Sequence, residues 1–179
     1  MFALGRTAFY YGLIKISLDN NNKILLPNYI CKSVLVPIIK LDCNYCYYNI
    51  NNNFEPNFKD IKKKINPGDY LLIVHYFGQP QNLTRILKFC KKNKIKLIED
   101  NAHGYSGEFK GKKLGTFGEL GFSSPRKILN ILTGGILYFR SKIYYISLPR
   151  YKLTNFDHLR FYLLNFKKIR NLLTKIYHF

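Results

Sequence analysis

Three side chains near the middle of the chain could do chemistry together: Asp100, His103 and Lys127. Asp100 closes the apolar run Lys96-Leu97-Ile98-Glu99-Asp100, and His103 follows it closely. Lys127 ends Gly121-Phe122-Ser123-Ser124-Pro125-Arg126-Lys127, a little before Thr133-Gly134-Gly135. A lysine amine attacks carbonyl carbon once it sheds its proton near neutral pH, through desolvation or a neighbouring cation such as Arg126. A strand-end carboxylate can hold the proton of a heterocyclic nitrogen, or it can cap whatever helix follows. His103 could meet the ring or phenolic oxygen of a ligand, or lie in a surface loop.

An anion needs different groups: hydroxyls, backbone amides and the positive end of a helix dipole. Ser123 and Ser124 offer hydroxyls beside Lys127, and Gly5-Arg6-Thr7-Ala8 opens the first helical stretch. Gly134-Gly135 would let the backbone approach a flat ligand closely. An amine, a carboxylate and an anion cradle are together what pyridoxal phosphate requires.

These groups need a scaffold, and its elements are readable. Residues 3–17 form the first helix, stopped by Asp19-Asn20-Asn21-Asn22. Strands are expected over Lys23–Leu26, closed by Pro27, and over Asp42–Ile50. Further strands fall at Tyr70–His75, Lys96–Asp100, 119–124 and 135–140. Helices are expected over Tyr29–Ile39 despite Pro37, over Asn57–Ile65, and over 81–93 after Gly78-Gln79-Pro80. Strands alternating with helices predict an α/β three-layer sandwich with a mostly parallel sheet. Ligands of such sheets sit beyond the carboxyl ends of the strands, where Asp100 falls.

Residues 1–150 form this domain, and residues 151–179 change character. Phe156, Leu159, Leu163, Phe166, Ile169, Leu173 and Ile176 recur at helical spacing among Lys and Arg, which predicts an amphipathic basic C-terminal helix over 156–177. It would pack on this domain or a partner subunit.

With 179 residues, 47% of them hydrophobic, the chain can bury an ordinary core. Lys and Arg number 29 against 10 Asp and Glu, a net charge of +19. That balance suits an anionic partner, but the abundance of Asn, Ile and Tyr points to compositional drift on solvated faces, so no nucleic-acid partner is expected. No apolar stretch reaches membrane-span length, so no integral membrane segment is expected. Cys31, Cys43, Cys46 and Cys90 follow no secreted framework. They read as buried free thiols of a cytoplasmic protein, with no metal site.

Several segments, in order, resemble the DegT/StrS-type sugar aminotransferases, a fold type I pyridoxal phosphate family. They are Gly5-Arg6-Thr7-Ala8, Leu26-Pro27-Asn28-Tyr29, His75-Tyr76-Phe77-Gly78-Gln79-Pro80, Ile98-Glu99-Asp100-Asn101-Ala102-His103, Gly107 through Gly118, and Ser124-Pro125-Arg126-Lys127. The resemblance spans about residues 3–140 and stops short of the family's smaller domain. It implies that Lys127 attaches pyridoxal 5'-phosphate, that Asp100 pairs with the ring nitrogen, and that His103 stands where the family has Gln or His. Thr7, Ala8 and one of Ser123 or Ser124 would hold the phosphate. Cys31 takes the place of the aromatic that usually stacks on the cofactor.

The same resemblance implies a homodimer that moves an amino group from glutamate to a nucleotide-linked keto-sugar, in polysaccharide or surface-glycan biosynthesis. Dehydratase relatives lack the lysine, so Lys127 points away from them. The alternative is a truncated, inactive relative whose basic surface binds anionic membrane or nucleic acid.

Overall fold

The computed structural model describes residues 2–18, 21–139, 142–144 and 155. The helix expected over 156–177 lies outside them, as do residues 19 and 20 of the first turn.

Short apolar runs become strands, and the polar-faced runs between them become helices. The helices are α1 (Gly5–Ile16), α2 (Leu35–Lys40), α3 (Phe58–Lys64) and α4 (Leu83–Asn93). The strands are β1 (Ile24–Pro27), β2 (Tyr45–Tyr48), β3 (Tyr70–Val74), β4 (Lys96–Asn101), β5 (Glu108–Phe109), β6 (Lys112–Lys113), β7 (Leu120–Ser123), β8 (Ile136–Phe139) and β9 (Lys142–Tyr144). Seven strands form one sheet in the order β2-β1-β3-β4-β7-β8-β9, and β5-β6 is a separate antiparallel pair. From β2 to β7 all pairings are parallel, and β8 and β9 are added antiparallel.

Strand alternation gives each sheet face its own helices. Leu25, Leu71, Ile73 and Leu97 point toward Ile61 of α3 and Leu83, Ile86 and Cys90 of α4, forming one core. On the opposite face Phe122 of β7 stacks on Phe9 of α1 with centroids 4.6 Å apart. The result is the expected α/β three-layer sandwich with a mostly parallel sheet.

Local signals fix most element ends. Asn57 caps α3 by accepting from the amides of Lys59 and Asp60, and Asn82 caps α4 by accepting from that of Arg85. Two expectations are corrected. Tyr29–Ile39 is not one helix: Tyr29 to Cys31 are non-helical, a 3-10 turn spans Lys32–Val34, and α2 follows. The Tyr76 hydroxyl donates to the Tyr29 carbonyl at 2.7 Å, drawing that segment across the strand ends instead. Pro37 is tolerated because it sits in the first turn of α2, where amides lack intrahelical partners. The strand expected over Asp42–Ile50 shrinks to β2, since Asp42 turns the chain with φ +51°.

Candidate active site

Parallel register brings the sequence-distant candidates to one end of the sheet. Val74 pairs with Asp100, Asp100 with Phe122, and Asn101 with Ser123, so β3, β4 and β7 end side by side. Beyond them lie two adjoining cavities of about 260 Å³ each, and both are walled by Cys31, Asp100, Ala102 and Lys127.

Asp100 is 5% exposed. Its Oδ1 accepts the Ala102 amide at 2.9 Å. Burial pushes its carboxyl up to about 6, against the opposing pull of the Ala102 amide and the Lys127 charge. Such a carboxylate gains from any cation placed before it.

Lys127 is delivered by a 3-10 turn, Pro125–Lys127, that springs from the end of β7. Its amide donates to the Ser124 carbonyl at 2.9 Å. Its Nζ lies 3.1 Å from His103 Nε2 at the exposed rim of the second cavity. Partial burial of the imidazole and the neighbouring lysine charge hold His103 below its usual range. The histidine is fixed by a tight turn in which Asn101 Nδ2 donates to the Gly104 carbonyl at 2.9 Å.

The two serines part company. Ser124 lines the first cavity with Gly5 and Arg6 at the start of α1. A Cβ on Gly5 would stand 3.1 Å from Ser124 Cβ, so glycine there is what lets the hydroxyl reach the helix terminus. Ser123 points to the opposite sheet face, where Asn101 Nδ2 donates to its Oγ at 3.2 Å. Thr7 and Ala8 do not line the cavity. Both amides donate to the Leu4 carbonyl at 3.1 Å, and Ala8 is buried. Gly5 and Arg6, at the start of α1, line that cavity instead.

Gly134-Gly135 serves the fold rather than a ligand. A Cβ on Gly135 would overlap the Leu4 carbonyl, and the Phe2 amide donates to the Gly135 carbonyl at 2.9 Å. The glycines admit the N-terminal segment, a use that no local pattern announces. Cys31 is exposed in the wall shared by both cavities, with Sγ 3.1 Å from Ser33 Oγ, and that hydrogen bond lowers its thiol below the usual value. Cys43 and Cys46 are half-buried, so among the four free thiols only Cys90 fits the expected burial.

Sequence reasoning overlooked Glu99 and His75. Alternation turns Glu99 away from Asp100, to the other face, where it is fully buried. It accepts from His75 Nε2 at 3.0 Å and from the amides of Gly115, Phe117 and Gly118 at 3.0, 2.6 and 2.7 Å. His75 Nδ1 accepts the Gln81 amide at 3.2 Å, so its proton is on Nε2. An acid beside Asp100 in an otherwise apolar run was the available signal. Ser33, which also lines the first cavity, had none.

The donor set fits pyridoxal phosphate. A sealed carboxylate suits a protonated ring nitrogen, an amine at the rim suits an aldehyde carbon, and Ser124 beside the α1 terminus suits a phosphate. Among the described residues no group of three His, Cys, Asp or Glu side chains is arranged to hold a metal ion.

Comparison with known proteins finds similar sequences and folds. The chain is 23% identical over 145 residues to a GDP-perosamine synthase of Escherichia coli O157:H7, covering 79% of this chain and 40% of that one. It is 27% identical over 138 residues to a dTDP-4-dehydro-2,3,6-trideoxy-D-glucose 4-aminotransferase of Saccharopolyspora spinosa, covering 75% and 36%. Its fold matches a sugar aminotransferase of Micromonospora echinospora with a TM-score of 0.67 at 17% identity, covering 77% and 40%. A Streptococcus pneumoniae sugar aminotransferase in its PLP form gives 0.69 at 14%, covering 78% and 41%. The chain thus spans about two fifths of the length of the relatives it matches. With residues 3–151 matched by its model, the chain belongs to the DegT/DnrJ/EryC1/StrS aminotransferase family.

Proposed function

We propose that this chain is the cofactor-binding part of a pyridoxal phosphate-dependent aminotransferase that moves an amino group from glutamate to a nucleotide-linked keto-sugar. The observation that carries the reading is the presence of Asp100 and Lys127 on the same cavity walls, at the carboxyl end of a parallel sheet. The cofactor, when bound, supplies a protonated heterocycle that draws electrons from the donor's α-carbon.

The chain's own residues do the rest. Asp100, desolvated and with only Oδ1 engaged by the Ala102 amide, keeps the proton on the ring nitrogen. Ser124 Oγ and the start of α1 at Gly5 and Arg6 hold the phosphate. Lys127 Nζ takes the proton from the donor's α-carbon and hands it on. His103 Nε2, 3.1 Å away, holds Nζ by a hydrogen bond and orients it.

The acceptor class follows from the relatives named for GDP- and dTDP-linked sugars. Such a product would serve polysaccharide or surface-glycan synthesis. Four free cysteines suit a reducing cytoplasm. Ile128, Leu129 and Ile131, exposed just after Lys127, suit cover by a second copy in a homodimer.

Mixing the protein with pyridoxal phosphate is expected to give the visible absorbance band of a lysine-bound cofactor. Glutamate should discharge the band, and Lys127→Ala should lack it. A wild-type protein without the band contradicts the proposal.

A further inference from the structure

Positive charge is shared unevenly between the two helix layers. Eight of the eighteen residues of α3 and α4 are Lys or Arg, against three of the eighteen of α1 and α2. Compositional drift would load both layers alike. Lys59, Lys62 and Lys63 of α3 recur at i, i+3 and i+4, as do Lys88, Lys91 and Lys92 of α4, and all six are exposed. The opposite sides of the same helices send Ile61, Ile86 and Cys90 into the core. α4 carries no acid, and Asp60, the one acid of α3, is held by Lys64 at 2.9 Å.

The two basic faces form one surface. Arg85 of α4 lies over the Phe58 ring of α3 at 4.6 Å, and Phe58 is 4.8 Å from Phe89. At the far end the Gly68 amide, shortly after α3, donates to the Lys94 carbonyl, just after α4, at 2.8 Å. Each helix runs back to the amino end of the next parallel strand, so the lysines of its last turn lie away from the cavities at the carboxyl ends.

Helix stability does not account for this pattern. The dipole favours Lys62, Lys63, Lys91 and Lys92 in the last turns, but it repels Lys59 and Arg85 in the first. Like charges also oppose each other at i and i+4, between Lys59 and Lys63 and between Lys88 and Lys92. A partner of negative charge offsets both effects.

The make-up of the face narrows that partner. Protein partners are anchored by apolar and aromatic side chains, and among the described residues no large apolar side chain of α3 or α4 is exposed. Nucleic acids are held by guanidinium forks and by rings that stack on bases. Here Phe58 and Phe89 pack against the core, and the single guanidinium, Arg85, is laid on Phe58. What remains is an array of lysines, which suffices for a bilayer whose headgroups offer charge without shape.

We propose that the joint face of α3 and α4 docks the protein on anionic phospholipid bilayers, through lysine charge and without insertion. This surface is an addition to the cofactor chemistry and does not depend on it.

Sedimentation of the full chain with vesicles of phosphatidylcholine, with and without phosphatidylglycerol, tests the proposal at about 0.1 M salt. Binding is expected only with phosphatidylglycerol, and it should be lost at about 1 M salt. Each lysine at such a surface is worth about fivefold in partition, so Lys88→Gln with Lys91→Gln and Lys92→Gln should bind about a hundredfold more weakly. Lys59→Gln with Lys62→Gln and Lys63→Gln should do the same. Lys15→Gln with Lys32→Gln and Lys40→Gln removes equal charge from other exposed positions and should bind nearly as wild type does. Circular dichroism checks that each variant is folded. Four results overturn the docking surface: no binding to phosphatidylglycerol vesicles, an equal loss in the Lys15, Lys32 and Lys40 variant, wild-type binding by either folded triple variant of α3 or α4, or displacement from the vesicles by duplex DNA at equal phosphate concentration.

Discussion

Asp100 weakens the fold that carries it. Its carboxyl rises to about 6 because burial opposes ionisation, whereas in the unfolded chain it titrates near 4. Between those values the folded protein binds more protons than the unfolded one. Stability therefore falls as pH rises through that window, by about 3 kcal/mol in all. Asp100→Asn removes the burden: in urea unfolding at pH 7.5 it should be more stable than wild type by up to about 3 kcal/mol, with the difference gone at pH 4. It should also lose cofactor uptake. Equal stability at both pH values would mean that the carboxyl is not desolvated as described.

At this scale the sequence was informative where chemistry follows from residue type. Asp100, His103 and Lys127 were legible and come together on one cavity. The serine that lines the first cavity was not, because choosing Ser124 over Ser123 depends on strand phase, which pairing with Asn101 fixes. Gly134-Gly135 was misassigned because its close neighbour is the Leu4 carbonyl, far away in sequence.

The elements around the cavity are held by Glu99, whose carboxylate ties β4 to the loop before β7 and, through His75, to the end of β3. Glu99→Gln places an amide nitrogen where an oxygen now faces N–H donors, leaving buried groups unpaired. The expected cost is about 3 kcal/mol, read as a lower urea midpoint with an unchanged slope. Gly78→Ala strains a φ of +80° and presses on the His103 carbonyl. It is expected to cost about 1–3 kcal/mol and to slow the binding of cofactor to Lys127, followed by absorbance. A Gly78→Ala protein matching wild type in both would separate the His103 turn from the site.

Alternating apolar and polar runs made β1, β3, β4, β7 and β8 readable, and the Gly78-Gln79-Pro80 turn did so for α4. The Tyr29–Cys31 segment was not readable as irregular. Its conformation is set by the Tyr76 hydroxyl, a contact across 47 residues that local periodicity does not carry.

The whole molecule presents its site at the carboxyl edge of the sheet, with an apolar run directly beside it. Ile128, Leu129 and Ile131 are 48%, 45% and 40% exposed, more apolar surface than a solvated loop requires. In sedimentation velocity the chain is expected at twice its monomer mass, and Ile128→Asp with Ile131→Asp at the monomer mass. A monomeric wild type would contradict the dimer. The fold class was legible at this scale because a parallel sheet needs crossover helices, and their alternation survives in sequence.

The proposed chemistry rests on one amine, Lys127 Nζ, that shares cavity walls with the buried Asp100 carboxyl. Reducing the protein with borohydride after incubation with pyridoxal phosphate, then mapping its peptides by mass spectrometry, tests that claim directly. Reduced cofactor is expected on Lys127 at near-stoichiometric yield in wild type, and little of it there in Asp100→Asn. Cofactor spread evenly over the surface lysines, with Lys127 labelled no more than the rest, would contradict it.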